Sequence, residues 1–249
     1  MSVTIIIPAR YASTRLPGKP LLDQTGKALI QHVVEAVSPA ERADKTVVAT
    51  DDDRIMQAVA AFGGKAVMTS RSCRTGTDRL AEAADVLGLA DDDIVVNVQG
   101  DEPDIPAACI DTLVDLLESG DAAMATLATP LPLDQADDPN KVKVVLAENG
   151  TALYFSRAKI PFDRDGRQQV QYLLHLGIYA YRVAFLRRFA AMPATPAERT
   201  ERLEQLRALE NGCRIVATVV NYNGIGIDTP EDYAAFVARA SAHAETQSD

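Results

Sequence analysis

Three cationic side chains follow the first apolar segment of the chain within ten positions of one another. Arg10, Arg15 and Lys19 lie in the stretch PARYASTRLPGKP, directly after the apolar residues 3–7. Backbone amides of a loop that leads into a helix can face an anion, and mobile cations strengthen this attraction. The stretch therefore predicts a phosphate-binding loop, with a solvated basic turn as the alternative. Its spacing matches neither the P-loop nor the dinucleotide-binding fingerprint.

Two acidic positions have the chemistry of a divalent-metal site. Asp101 follows the apolar segment and Gly100 in VNVQGDEP, where the glycine lets the backbone approach a ligand and the carboxylate suits Mg²⁺. In IDTPEDY, Thr229 predicts the cap of a helix that begins at Pro230. Asp228 is not needed for that cap, so it is a candidate for the second metal ligand. The alternative at both positions is an acidic turn without a metal.

These groups are positioned by alternating strand-like and helix-like segments. Such alternation predicts helices around a mostly parallel sheet, in which ligands bind beyond the carboxyl ends of the strands. After Ala123 the strands have fewer intervening helices, which predicts a mixed sheet. Predicted strands cover residues 3–7, 46–50, 66–68 and 93–98 and the segments MATLATP, VKVVL, ALYFS and LLHLGIYAY; predicted helices cover residues 29–37, 54–62, 78–88 and 110–117 and the surroundings of Phe185 and Leu203.

Composition limits the partners of the chain. It has 249 residues, a formal net charge of −10 and 47% apolar residues. An acidic protein does not offer the basic surface that nucleic acid or an anionic membrane requires, so neither is an expected partner. Three cysteines without CxxC spacing favour a reducing cytoplasm, and no apolar run is long enough to span a bilayer. We expect one domain over residues 1–240 and a flexible tail over 241–249.

Seven motifs in this order resemble one family, the 3-deoxy-manno-octulosonate (KDO) cytidylyltransferases. They are PARYASTRLPGKP, TGTDRLAEA, VNVQGDEP, ALYFSRAKIP, HLGIYAYR, LEQLRALENG and DTPEDY. The resemblance implies a single α/β nucleotidyltransferase domain of the glycosyltransferase-A-like type, with a smaller lobe for sugar binding and dimerisation. It also implies a homodimer that joins CTP to KDO with Mg²⁺, forming CMP-KDO and pyrophosphate for lipopolysaccharide biosynthesis.

The resemblance also implies roles for individual residues. The catalytic residues would be Lys19, Arg15, Asp101 and Asp228, of which the two aspartates would hold Mg²⁺. The nucleotide would be bound by Ala9, Arg10, Ser13, Arg15, Lys19, Arg74, Thr75 and Gln99. The sugar would be bound by Arg157, His175, Tyr179, Glu204 and Gln205, with Arg157 on its carboxylate. Without the resemblance, His175 would be interpreted as a core histidine and Glu204 as part of a solvated charged face.

The chain departs from the family pattern at a few positions. Leu174 stands where the family commonly has Lys or Arg, and the connection 165–172 is short. Phe162 replaces a frequent Trp, and Asp78 replaces a Glu of some members. These departures leave open a close relative of KDO, such as an 8-amino derivative, as the substrate. Two further alternatives are an enzyme for another acid sugar, such as sialate, and a non-catalytic nucleotide-sugar-binding regulator.

Overall fold

Strand β1 lies near the middle of a sheet of nine strands in the described part of the chain. The computed structural model describes residues 1–12, 16–166, 170–222, 224 and 226–246. The order along the sheet is β3-β2-β1-β4-β8-β5-β9, and β6 pairs with β7 and β8. Strand β8 runs antiparallel to both neighbours, whereas β1, β2, β3 and β4 are mutually parallel. The sheet is therefore mixed.

The first half of the chain supplies the parallel strands and the helices between them. Val48, Ile5 and Val96 are fully buried in neighbouring strands, as continuous β-branched runs require in a sheet covered on both faces. The elements are β1 (Val3–Ala9), a 3₁₀ helix (Lys19–Leu21), α1 (Leu29–Val37), β2 (Lys45–Thr50), α2 (Asp53–Ala61), β3 (Ala66–Met68), α3 (Gly76–Val86), β4 (Ile94–Asn97) and α4 (Ala107–Glu118).

The second half adds the antiparallel strands and closes back on the first. Strand β8 inserts between β4 and β5, which joins the two halves in one sheet. The elements are β5 (Met124–Leu131), a 3₁₀ helix (Leu133–Gln135), β6 (Lys143–Leu146), β7 (Ala152–Ser156), β8 (Tyr172–Arg182), α5 (Val183–Ala191), α6 (Pro196–Glu201), α7 (Gln205–Glu210), β9 (Ile215–Val219) and α8 (Pro230–Thr246).

Two apolar layers cover the two faces of the sheet. One layer contains Ile5, Ile7 and residues of α1 and α4, and the other contains Ile6, Val95 and residues of α3 and α5. The alternation of Ile5, Ile6 and Ile7 between the layers follows from the two-residue period of a strand. Because β1 and β4 are parallel and adjacent, their carboxyl ends open at the same edge of the sheet.

Several predicted element positions are confirmed, and two features were not foreseen. Strand β9 pairs in parallel with β5 but was not predicted. Helix α8 begins at Pro230 as predicted and continues through Thr246, beyond the domain boundary expected at residue 240. Nothing in the structure tests the flexibility expected of residues 241–249. Within the described ranges, no helix is both long and apolar enough to cross a membrane.

Candidate active site

Lys19 brings together the two candidate metal ligands. Its Nζ donates to Asp101 Oδ2 at 2.7 Å and to the carbonyl of Ile227 at 2.7 Å, and it lies 3.5 Å from Asp228 Oδ1. A backbone hydrogen bond from Ile227 N to Asp101 O, 2.9 Å long, fixes the two segments together. The two aspartates, far apart in sequence, therefore converge on the Lys19 ammonium, and the Mg²⁺ that they were predicted to share stays a prediction.

Local structure places each of these three groups. Lys19 begins a 3₁₀ helix after Gly18, whose φ of 69° is left-handed and suits glycine. Thr229 and Asp232 cap α8 reciprocally, because Asp232 N donates to Thr229 Oγ1 and Thr229 N donates to Asp232 Oδ2. This cap holds the start of α8, and with it Asp228, beside the end of β4.

The donor set at this cluster fits Mg²⁺. Two carboxylates face one position, and Mg²⁺ is usually held by one or two carboxylates together with substrate phosphates and water. Among the described residues there is no group of three or more His, Cys, Asp or Glu side chains that could hold a metal by itself. Any further ligands would come from water or from a bound phosphate, as is usual for Mg²⁺.

A cavity of about 410 Å³ opens beside the cluster. Its lining includes two basic side chains, Arg10 and Lys19, and the two aspartates, Asp101 and Asp228, that Lys19 contacts. Gly100 forms part of the floor, where a Cβ atom would lie 3.1 Å from the carbonyl oxygen of Pro8. The lining residues are Pro8, Ala9, Arg10, Ala12, Lys19, Pro20, Gln99, Gly100, Asp101 and Asp228. The predicted Ser13 and Arg15 lie outside the described residues.

A smaller cavity of about 110 Å³ lies next to the first, at the start of α3. Thr75 caps α3 by accepting from Asp78 N, and the Asp78 carboxylate accepts from Thr75 N. Because the first amides of a helix have no partners within the helix, this end can serve a polar ligand. Its lining residues are Pro8, Ala9, Arg10, Cys73, Thr75, Gly76, Arg79 and Gln99.

Two basic residues near this smaller cavity differ in position. Arg79 is buried and donates to Thr69 Oγ1 at 2.5 Å and Asp51 Oδ2 at 2.9 Å. Arg74 is exposed and does not line the cavity, although its backbone amide donates to Asp78. The structure therefore brings Thr75 and Gln99 to the cavity but not the side chain of Arg74.

A third cavity, of about 360 Å³, lies between β8 and the segment 202–205. It contains four of the five predicted sugar-binding residues, namely His175, Tyr179, Glu204 and Gln205. Leu174 forms an apolar part of the wall. Gln99 lines this cavity as well as the other two, so it marks the place where all three meet. Its Nε2 donates to the carbonyl of Gly177 at 3.1 Å, which fixes its amide.

His175 is a buried, neutral imidazole. Burial lowers the pKa of His175 to about 3. Its Nε2 lies 3.0 Å from Thr126 Oγ1, and the Thr126 hydroxyl donates to main-chain carbonyls of β8. His175 therefore offers the cavity an uncharged hydrogen-bonding group.

Glu204 supplies the negative charge of this cavity. Its Oε2 accepts from the Thr77 hydroxyl at 2.6 Å, and its Oε1 lies 3.7 Å from the Arg207 guanidinium. Oε1 is buried without a hydrogen bond from the described residues. Burial raises the pKa of Tyr179 above its usual value and the nearby Glu204 raises it further, so Tyr179 remains a protonated donor.

Arg157 is held away from this cavity. Its Nε donates to the carbonyl of Glu201 at 2.7 Å and its guanidinium donates to the carbonyl of Pro139 at 3.0 Å. It is not among the residues that line the cavity, so its predicted contact with the sugar carboxylate stays a prediction. Arg202 does line the cavity, and its φ of 53° places it in the left-handed region, which is costly for a residue with a Cβ.

Several residues that line the cavities were not predicted from the sequence. Arg202 belongs to a run of charged residues that resembles any exposed helical face, so its position gave no signal. Asn97 was visible as a polar residue in the apolar segment IVVNV, and Cys73 and Arg79 flank the TGTDR motif. Burial and a hydrogen bond to Glu82 raise the pKa of Cys73 to about 11, so it is a protonated thiol.

Comparisons with known protein families and sequences give consistent matches. The family model described as cytidylyltransferase matches residues 4–215. A relative from Shewanella pealeana named 8-amino-3,8-dideoxy-manno-octulosonate cytidylyltransferase is 50% identical over 242 residues, which are 96% of this chain and 98% of the relative. A relative from Desulfatibacillum aliphaticivorans named 3-deoxy-manno-octulosonate cytidylyltransferase is 49% identical over 236 residues, 94% of this chain and 96% of the relative.

Solved structures show the same likeness. The structure of CMP:2-keto-3-deoxy-manno-octonic acid synthetase complexed with CTP has a TM-score of 0.93 and 42% identity, covering 98% of this chain and all of that one. A cytidylyltransferase from Leptospira borgpetersenii has a TM-score of 0.63 at 20% identity, covering 97% of this chain and 87% of that one. The second comparison bears on the fold alone.

Proposed function

Because the chain belongs to the cytidylyltransferase family, we propose that it transfers the cytidylyl group of CTP to KDO or its 8-amino derivative and releases pyrophosphate. The observation that carries this proposal is the meeting of three cavities at Gln99. One cavity is rich in cationic and metal-binding groups, one is small and polar, and one is larger and lined by neutral donors and acceptors. These properties suit a triphosphate, a base and a sugar.

The cationic cavity stabilises the charge of the transfer step. A sugar hydroxyl attacks the α-phosphorus of CTP in line with the departing pyrophosphate, and both oxygens carry charge. Lys19 lines this cavity, and its ammonium, which contacts both aspartates in the structure, would donate to a phosphate oxygen once CTP is bound. Asp101 and Asp228 would hold Mg²⁺. When bound, this ion polarises the phosphate and lowers the pKa of the attacking hydroxyl.

The small cavity suits the cytosine base. Thr75 and Gln99 provide hydroxyl and amide groups, and backbone groups at the start of α3 provide further donors. A cytosine edge presents both donors and acceptors, and an amide side chain can serve either kind of group. The buried Arg79 fixes the floor of this cavity by joining Thr69 to Asp51.

The larger cavity suits an acid sugar with many hydroxyls. His175, Tyr179 and Gln205 offer neutral hydrogen-bonding groups, and Glu204 offers an acceptor. The sugar carboxylate requires a cation. Arg202 lines the cavity, whereas Arg157 would have to exchange its two carbonyl partners for the substrate. We therefore propose Arg202 as a second candidate, in addition to Arg157, for binding the sugar carboxylate.

The assembly and location of the enzyme are parts of the same proposal. Leu153, Tyr154 and Phe162 are large apolar side chains exposed on the described surface, and they support a homodimer. All three cysteines are free, which supports a reducing cytoplasm. Light scattering across a dilution series measures the first property, and fractionation of cells measures the second.

A pyrophosphate-release assay over nucleotides and sugars tests the proposed reaction. CTP should be used far better than UTP or ATP, and KDO and its 8-amino derivative far better than N-acetylneuraminate or mannose. Equal use of mannose would refute the acid-sugar assignment, because a neutral sugar leaves the cation of the cavity unpaired. Tight binding of CTP with no pyrophosphate release for any acid sugar would support the regulator instead.

A further inference from the structure

Asn97 is a buried polar residue without a complete set of partners. It is the last residue of β4, and its side chain is only 4% exposed. Within the described part of the chain, its Oδ1 accepts no hydrogen bond. Leaving a buried carbonyl oxygen without a donor destabilises a folded protein, so most such oxygens are paired. Packing alone therefore does not explain why a polar residue with an unpaired oxygen occupies this buried position.

The register of the sheet directs Asn97 toward the larger cavity. In the antiparallel pair of β4 and β8, Asn97 stands directly opposite Tyr179, so the two side chains project from the same face. Ile6 is its partner on β1 and belongs to the apolar layer on that face. Asn97 and Tyr179 both line the cavity assigned to the sugar.

The neighbours of Asn97 leave its carbonyl oxygen available. Tyr181 lies beside it; burial raises the pKa of Tyr181 well above its usual value, and a hydrogen bond with Asn97 acts in the opposite direction. Although Asn97 interacts with Tyr181, its Oδ1 has no hydrogen-bond partner among the described residues.

We propose that Asn97 is a further sugar-binding residue, whose Oδ1 accepts a hydrogen bond from a hydroxyl or ammonium group of the octulosonate chain. This inference rests on the proposed function. The sugar supplies the donor that the protein lacks, and Asn97 in turn rejects analogues without a donor at that position. A site built to accept a hydrogen bond discriminates strongly, because an analogue without the donor leaves the buried acceptor unpaired.

The chain offers a matched control for this residue. Thr4 lies in the adjacent strand β1, is fully buried and also has an Oγ1 without a partner in the described structure, yet it lines none of the three cavities. Thr4→Val and Asn97→Leu both replace a buried, unpaired polar group by an apolar one. If Asn97 were only a packing residue, the two substitutions would have the same effect on catalysis.

The experiment is steady-state kinetics of both variants and the wild type with CTP and each octulosonate. Asn97→Leu should raise the sugar KM by about 10- to 100-fold and leave the KM for CTP within about twofold, as expected for one lost hydrogen bond to a substrate group. Thr4→Val should change neither constant. An unchanged sugar KM in a folded Asn97→Leu variant, or an equal rise in both KM values, would overturn the inference.

A second variant covers the case in which β4 does not accept leucine. Asn97→Ser keeps a small polar side chain but withdraws the acceptor from the cavity, so it should show the same selective rise in sugar KM. The same sugar KM as the wild type in this variant would also overturn the inference. An inactive wild type with both octulosonates would instead refute the proposed function itself.

The two possible donors are distinguished by a third substrate, 8-deoxy-KDO. If the loss caused by Asn97→Leu disappears with this analogue, the partner of Asn97 is the group at C8, and the 8-amino derivative should then show the largest loss. If the loss persists unchanged, the partner is another hydroxyl of the chain. Both results support the inference.

Discussion

Lys19 should contribute far more to catalysis than to stability. Its ammonium donates to Asp101 and to the carbonyl of Ile227, and its side chain is 15% exposed. Lys19→Met keeps the length and apolar stem of the side chain but removes these hydrogen bonds and the positive charge. The side chains of its partners Asp101 and Asp228 are 28% and 49% exposed, so solvent already screens their attraction to the ammonium and little stability is lost with the ion pairs. We expect a decrease in the free energy of unfolding of about 1 kcal/mol.

The effect on turnover should be larger because the charge at the α-phosphate develops in the transition state. Loss of one aligned donor to a developing oxyanion costs roughly 10²–10³ in kcat. Lys27 provides the control, since it forms an exposed ion pair with Glu35 away from the three cavities. Lys27→Met should leave kcat unchanged.

The assay is pyrophosphate release at saturating CTP, sugar and Mg²⁺, with urea unfolding of the same preparations. A Lys19→Met variant whose kcat stays within threefold of the wild type would refute the assignment of Lys19 to the transition state. A large loss of stability with a small loss of kcat would show that Lys19 serves mainly to hold Asp101 and residue 227 in place.

Three further predictions follow from the site. Asp101→Asn and Asp228→Asn should each weaken Mg²⁺ binding, as measured by calorimetry with a CTP analogue. Their effects on kcat should be strongly non-additive in the double variant. If the double variant instead lost kcat by the product of the two single losses, a shared metal would be contradicted. Arg202→Ala should reduce the preference for KDO over mannose more than Arg157→Ala, as measured by kcat/KM; the reverse order would return the carboxylate to Arg157. The pKa of His175 is lowered to about 3 in the folded protein. Between about pH 6.5 and pH 3, the imidazole therefore binds a proton in the unfolded chain but not in the folded one. The free energy of unfolding should fall as the pH decreases through this range, by up to about 1.4 kcal/mol per pH unit. His175→Gln should make urea unfolding less sensitive to pH in that range, and an unchanged slope would contradict the buried neutral imidazole.

Local sequence patterns predicted much of the fold. The β-branched run 3–7 and the apolar face of residues 29–37 depend on near neighbours alone, and β1 and α1 are found there. The predicted cap at Thr229 is also local, because its partner Asp232 lies three residues away. The predicted α/β cytidylyltransferase fold is confirmed by the family model and by the CTP-bound structure.

Long-range contacts explain what the sequence did not predict. The direction of Arg157 depends on carbonyls of Glu201 and Pro139, to which no local pattern points. Strand β9 is short and gains its place by pairing with β5, about ninety residues earlier. Arg202 lines the cavity and has a left-handed backbone conformation between α6 and α7, and side-chain periodicity indicates neither feature.

The convergence of Lys19, Asp101 and Asp228 was predicted only in part. Topology alone brings the ends of β1 and β4 to one edge, which predicts that Lys19 and Asp101 are near each other. The approach of Asp228 requires the backbone hydrogen bond between Ile227 and Asp101, which connects segments more than a hundred residues apart. The family resemblance, rather than spacing, therefore carried the prediction for Asp228.

The central claim is that one reaction links all three cavities, and product analysis tests it most directly. Phosphorus NMR of the wild-type enzyme with CTP, Mg²⁺ and either octulosonate should show one pyrophosphate and one new phosphodiester for each CTP consumed, and no CTP consumption without the sugar. Mass spectrometry should identify the phosphodiester as the CMP-linked sugar. Hydrolysis of CTP without formation of this product, or no consumption of CTP with either octulosonate, would contradict the account.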